Sequence, residues 1–215
     1  MKIAGAIFDL DGTLLDTMHM WNNLCPDYLT ARGIQPEADI LSVIRTMTAI
    51  QAVGYIHDKY KLTDSVSKIV DDITKTTYEF YAHKAMLKPG AEEFVRKLQS
   101  RGIKMCIATS SEKLLAAASL ERCGIAGCFE GVLTCTEVGA GKDKPDIFNK
   151  ACELLGTPKA HTWVFEDSLY AARTAGQAGF RVCGVYDEYE SEQNSLRQLC
   201  DAYITSFDTA AEIFV

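Results

Sequence analysis

Two aspartates, Asp9 and Asp11, stand one residue apart at the end of an apolar run in the stretch AIFDLDGTLLDT, and Gly12 follows at once. Two carboxylates this close do not both stay ionised unless a cation intervenes or one of them holds a proton. Both arrangements do useful chemistry. A hard divalent cation takes oxygen ligands, and Asp9 with Asp167 and a backbone carbonyl gives it a partial shell, with places left for water and a phosphate oxygen. Held ionised, Asp9 can attack phosphorus through a carboxylate oxygen and form an aspartyl phosphate. Asp11, carrying a proton, can give it to the leaving oxygen and later take one from water. Thr109 can hydrogen-bond a non-bridging phosphoryl oxygen, while Lys142 offsets the charge of Asp9 and of the transferring group.

These residues lie where apolar runs end. The segments IAGAIFD, IKMCIA, GVLTC, TWVFE and FRVCGVY read as buried strands, and amphipathic helices such as AEEFVRKLQSRG and DIFNKACELLG separate them. The alternation predicts an α/β fold, a Rossmann-like three-layer αβα core around a parallel sheet. In such sheets the ligand crevice lies at the carboxyl ends of the strands. To that edge the chain delivers Asp9 and Asp11, then Thr109 and Ser110, then Lys142 in the loop GAGKDKP, then Glu166 and Asp167. Between Asp16 and Lys88 the alternation stops. Trp21, Leu24, Cys25 and Tyr28 recur at helical spacing, as do Ile40, Ile44 and Met47, and then Val66, Ile69, Val70, Ile73, Thr77, Phe80 and Tyr81. No strand pattern is legible there. Residues 17–88 therefore read as an inserted all-helical cap domain, and residues 1–16 and 89–215 as the α/β core.

Each motif also has a plainer reading. Thr109 with Glu112 reads as a capping box for a helix starting at Ser110. Asp167 or Ser168 reads as an N-cap, Lys142 as a solvated loop lysine, and Asp11-Gly12 as a turn. Convergence of four separate segments on one edge favours a site, and a helix N-terminus is itself an anion site. GAGK lacks the first glycine and the Ser or Thr of a phosphate-binding P-loop, no G-x-G-x-x-G opens a helix, and a strand precedes D-x-D-G where a calcium loop needs a helix. A hydrophobic content of 47 % with 24 % charged residues is that of an ordinary globular protein, and the net charge of −7 argues against nucleic acid or an anionic membrane as partner. The apolar runs are too short to span a membrane and no secretory pattern opens the chain, so a cytoplasmic protein is expected. Eight scattered cysteines without a CxxC pair suggest neither disulfides nor zinc.

DLDGTLLD, the strand ending in Thr109, Lys142 ahead of PDIF, and FEDS closing a strand resemble the four ordered motifs of the haloacid dehalogenase superfamily. The resemblance covers residues 1–16 and about 90–210, and the all-helical insertion resembles that family's C1 cap. It implies that Asp9 is the nucleophile and a Mg2+ ligand, that Asp11 is the acid/base and a ligand through its carbonyl, and that Asp167 is a ligand with Glu166 beside it. It gives Thr109 and Lys142 the phosphate-binding and charge-balancing roles. Anchoring on PDIF selects Lys142 over Lys144, because the usual K-P-x-P-D reads K-D-K-P-D here, and Ala171 stands where the EDS segment usually carries glycine. Gly12 and Ser110 are expected at the phosphate. His19, Trp21 and Arg45 are the cap residues expected to touch substrate, although each also reads as an ordinary helix-surface or core residue.

Asp11 narrows the choice within the family, since dehalogenation needs no acid at that position. The mutases that most resemble this chain carry a histidine and an arginine in the cap where Trp21 and Ala49 stand. The reading is a Mg2+-dependent phosphomonoesterase acting on a small phosphorylated metabolite, with sugar phosphates the leading class. A β-phosphoglucomutase-like mutase is the enzymatic alternative, and a non-catalytic binding or regulatory protein on the same fold is the third.

Overall fold

The computed structural model describes residues 3–44, 47 and 49–214. Gly5–Phe8 form β1, and all four residues are buried. β1 is paired in parallel on both edges, with β4 (Lys104–Thr109) through Ile7↔Cys106 and with β6 (Thr162–Glu166) through Ile7↔Val164. Beyond β4 lies β5 (Val132–Thr134), and beyond β6 lie β7 (Arg181–Val185) and β8 (Ala202–Ile204). The order is β5-β4-β1-β6-β7-β8 with every pairing parallel, as the alternation of strands and helices predicts. Chain order runs in opposite directions on the two sides of β1. Its carboxyl end is therefore the switch point at which such sheets open a crevice.

Side-chain alternation gives each face of the sheet its own core. Ile7, Cys106, Ala108 and Val164 cluster with Ile147, Phe148, Ala151 and Leu155 of α8 (Asp146–Leu155), and with Ala172 and Ala175 of α9 (Leu169–Gln177). On the other face Phe8 and Phe165 stack with ring centroids 4.5 Å apart, and both meet Phe94 of α5 (Ala91–Ser100) and Phe207 of α11 (Phe207–Phe214). Each buried ring is worth about 1.5–3 kcal/mol, so the rings alone hold β1 and β6 firmly side by side.

The helical segment forms a compact unit of its own, Met18–Phe80, while the residues up to Thr17 and from Tyr81 onward form the other. Its elements are α1 (Met18–Thr30), α2 (Ile40–Ile44), α3 (Ala49–Tyr60) and most of α4 (Val66–His83). Cys25, Leu29, Ile40 and Ile56 make its core. Arg32 braces it from outside, its guanidinium 3.6 Å from the Tyr28 ring centroid and 3.5 Å from both Asp64 and Asp72.

Two short strands lie where the sequence shows none. Met86–Leu87 form β3, which pairs antiparallel with β2 (Leu15–Asp16). Two residues are too few for a period-two pattern to be recognised. Next to this ribbon Lys88 donates to the Leu14 carbonyl through its amide, and through Nζ to Asp187 Oδ2 at 2.9 Å and to the Tyr186 carbonyl at 2.6 Å. The pair is nearly closed to water, with side chains 12 % and 4 % exposed. Lys88→Met leaves Asp187 buried without its ammonium, and breaking such a pair costs about 3 kcal/mol. Urea unfolding should show the loss, and an unchanged midpoint would assign the pair no stabilising role.

Candidate active site

The hydrogen-bond ladder of β1 continues for one bond past Phe8, as the Asp9 amide donates to the Phe165 carbonyl at 3.0 Å. That bond sets Asp9 beside the acids that close β6. The chain then turns tightly, with the Leu14 and Leu15 amides both returning to the Leu10 carbonyl, at 3.0 and 2.8 Å. Gly12 sits in the turn at φ 80°, a left-handed conformation that strains any residue with a Cβ. Thr13 comes out of the turn facing inward and donates its hydroxyl to Asp167 Oδ1 at 2.9 Å.

Lys142, from the loop between α7 (Cys135–Val138) and α8, is 3 % exposed. Its Nζ donates to Asp9 Oδ1 and, at 2.8 Å, to Glu166 Oε2. Lys144, two places on, is exposed. Ser168 stands at the N-cap of α9 without capping it by its side chain, because both its amide and its hydroxyl donate to Glu166 Oε1, at 3.2 and 2.8 Å. Carboxylate oxygens of Asp9, Glu166 and Asp167 lie within 4.8 Å of one another, and all three residues are buried.

Burial, and then the neighbouring Glu166 charge, pushes the Asp9 carboxyl up to about 7, although Lys142 pulls it down. Asp167 is raised well above the usual carboxylate range, first by burial and then by Glu166 and Asp9. Burial opposes the charge on Lys142, but Asp9 and Glu166 outweigh it and hold the ammonium above its ordinary range. Three buried acids thus share one ammonium. An all-oxygen donor set with surplus negative charge is what a hard divalent cation binds, so these residues fit such an ion.

Asp11 has different surroundings. Thr17 Oγ1 donates to its Oδ1 at 2.7 Å, the Tyr81 hydroxyl donates to the same oxygen, and Ser111 Oγ donates to Oδ2 at 2.6 Å. Ser111 also ties Asp11 to β4, since its amide donates to Thr109 Oγ1 at 2.9 Å. That bond occupies the oxygen a capping box would need. The box with Glu112 is not formed: α6 (Lys113–Arg122) starts three residues later than the sequence suggests, with Glu112 itself at the N-cap. Ser110 is exposed, its Oγ 3.5 Å from Cys135 Sγ.

Of the predicted residues, Asp9, Glu166, Asp167 and Lys142 come together in one buried cluster, and Asp11 joins Thr109 through Ser111. His19 and Trp21 stand on α1 in the helical unit, His19 exposed with its ring edge-on to Phe80 at 5.6 Å, and Trp21 half-buried. Arg45 lies outside the described residues. The sequence reading gives Thr13, Thr17, Ser111 and Tyr81 no role. Thr13 and Thr17 sit within the opening motif and Ser111 beside Ser110, which is the only signal they carry; Tyr81 sits in a helical apolar pattern that hides its hydroxyl.

A sequence profile of the haloacid dehalogenase-like hydrolases matches residues 3–179, a span that holds every residue of the cluster. The chain belongs to this family. CbbY of Rhodobacter capsulatus is 27 % identical over 202 residues, which are 88 % of this chain and 88 % of that protein. A phosphorylated carbohydrates phosphatase of Thermotoga maritima is 24 % identical over 83 % of each chain. The crystal structure of CbbY from Rhodobacter sphaeroides in complex with phosphate shares the fold, with a TM-score of 0.77 at 21 % identity over 95 % of both chains. By that family the chain is a hydrolase, and among the described residues no helix is long and apolar enough to cross a membrane.

Proposed function

We propose that this hydrolase is a Mg2+-dependent phosphomonoesterase acting on a small phosphorylated metabolite through an aspartyl phosphate on Asp9. The observation that carries the reading is the contrast between the two aspartates. Asp9 is buried against an ammonium and two further acids, whereas the side-chain partners of Asp11 among the described residues are neutral hydroxyls. The ammonium on Asp9 favours its charged, attacking form against the burial and the acids that oppose it, and the hydroxyls leave Asp11 to exchange a proton.

Asp9 and Asp167 would hold the ion with Glu166 beside them, and Asp11 through its carbonyl; bound there, it supplies the positive charge that draws a phosphate into an acidic protein. Lys142 balances Asp9, and Thr109, Ser110 and the Gly12 turn receive the phosphoryl oxygens. An Asp9 oxygen attacks phosphorus as the ester P–O bond breaks, and Asp11 gives its proton to the departing oxygen, which leaves as a neutral alcohol. Water then attacks the same phosphorus, Asp11 takes its proton, and the Asp9–phosphorus bond breaks to release phosphate. The helical unit serves as the substrate-selecting cap, with His19, Trp21 and Arg45 as its contacts. The Thermotoga maritima relative's name supports sugar phosphates as the leading class.

Purified protein with p-nitrophenyl phosphate should release phosphate with Mg2+, stop when EDTA is added and resume with excess Mg2+. A broad panel of phosphate monoesters left intact would overturn the reading. Conversion of β-glucose 1-phosphate to the 6-phosphate, stimulated by a bisphosphate, would replace it with the mutase.

A further inference from the structure

The hydroxyls around Asp11 are distributed unevenly, and the distribution separates its two oxygens. Oδ1 accepts from both Thr17 and Tyr81, which fills the two acceptor positions of a carboxylate oxygen. Oδ2 accepts from Ser111 alone among the described residues, so one of its positions remains for another partner. Ser111 is also the residue whose amide holds Thr109, which brings Oδ2 to the side of Asp11 next to the end of β4. All three partners are hydroxyls rather than ammonium or guanidinium groups. A neutral hydroxyl can donate to a protonated carboxyl as well as to a carboxylate, whereas a cation would hold Asp11 in its charged form. Thr17 and Tyr81 are moreover the last residue before the helical unit and the first after it, so both chain crossings are tied to one oxygen of Asp11.

We propose that Asp11 Oδ2 is the oxygen that exchanges the proton with the leaving group, that Ser111 is its positioning residue, and that Thr17 and Tyr81 position the carboxyl by anchoring Oδ1. The inference rests on the reading of Asp11 as the acid and goes beyond it by assigning the oxygen and three residues that act through it. A positioned acid matters most when the departing oxygen is a poor leaving group. The readout is therefore the ratio of kcat/KM for phenyl phosphate to that for p-nitrophenyl phosphate. The two esters have nearly the same shape, but phenol leaves less readily than p-nitrophenol, and kcat/KM reports the step in which the ester bond breaks.

Asp11→Asn should lower this ratio about 100-fold, and Ser111→Ala and Tyr81→Phe about 10-fold each. Ser111→Thr, which keeps a hydroxyl, should restore the ratio to within about twofold of the original protein. In an Asp11→Asn background neither Ser111→Ala nor Tyr81→Phe should lower it further, because their effect passes through the carboxyl. A ratio unchanged by Asp11→Asn would overturn the acid role itself and this inference with it. A ratio that falls with Asp11→Asn but not with Ser111→Ala or Tyr81→Phe, or an equal loss of both esters in those two variants, would leave the acid role standing and sink the positioning assignment alone.

Discussion

Asp9→Asn should give a folded protein that releases phosphate at least about 10^4-fold more slowly than the original, in line with the removal of a nucleophile. The amide keeps the shape of the side chain but offers no charged oxygen to attack with. Stability should hold or rise. The carboxyl is pushed up to about 7 by burial and by Glu166, so ionising it there is unfavourable, and a neutral amide escapes that cost. Lys142 keeps Glu166 as a partner at 2.8 Å. Loss of turnover with an unchanged or higher melting temperature is thus the expected pair of results. Substantial residual hydrolysis would move the nucleophile elsewhere, and loss of turnover together with a collapsed melting temperature would make Asp9 a structural residue.

Lys142→Ala should fail in the opposite manner, losing stability and activity together. Its ammonium faces Asp9 and Glu166 at 3 % exposure, and without it three buried acids have no cationic partner among the described residues. Removing one side of a buried, hydrogen-bonded charge cluster costs about 3–5 kcal/mol. Under the proposed mechanism it also helps the transferring group electrostatically, and removal of such help costs about 10^2–10^3 in kcat. If the acids hold a divalent ion, added Mg2+ should raise the melting temperature of Lys142→Ala by more than that of the original protein, because the ion then meets a larger uncompensated charge. Equal shifts in both would separate the lysine from the ion site, and a urea midpoint and kcat matching the original would remove its charge-balancing role.

The strands of the core are legible in the sequence because each is a short apolar run ended by a polar residue, and a charge at the end of such a run stands out. That is why Asp9, Asp11, Glu166 and Asp167 attract notice from one sequence, and why Lys142 does so in a glycine-bearing loop. The hydroxyls that hold Asp11 and Asp167 do not. Thr13, Thr17, Ser111 and Tyr81 are uncharged residues of common types, and all but Thr17 have partners far away in the chain: Tyr81 donates to Asp11 across 70 residues, Ser111 across 100. The β2–β3 ribbon escaped for a related reason, since its two-residue strands exist only through the pairing of Leu15 with Leu87 and of Asp16 with Met86. Local patterns reveal which groups bear charge, and tertiary pairing decides which groups orient them.

The central place of β1 has a bearing on how the protein is made. Both edges of β1 are filled by strands far downstream, Gly5 pairing with Lys104 on one side and Thr162 on the other. A chain emerges from its N-terminal side, and pairings this distant form late because a long loop must close first. While it grows, Asp9 and Asp11 remain in water as ordinary solvated carboxylates. The further acids and the burial that raise Asp9 arrive when β6 docks against β1 and brings Glu166 and Asp167 with it, and the ammonium that tempers it comes with the loop ahead of α8. A partly synthesised chain therefore carries the full opening motif with no reactive site, and reactivity begins only as the sheet closes around it.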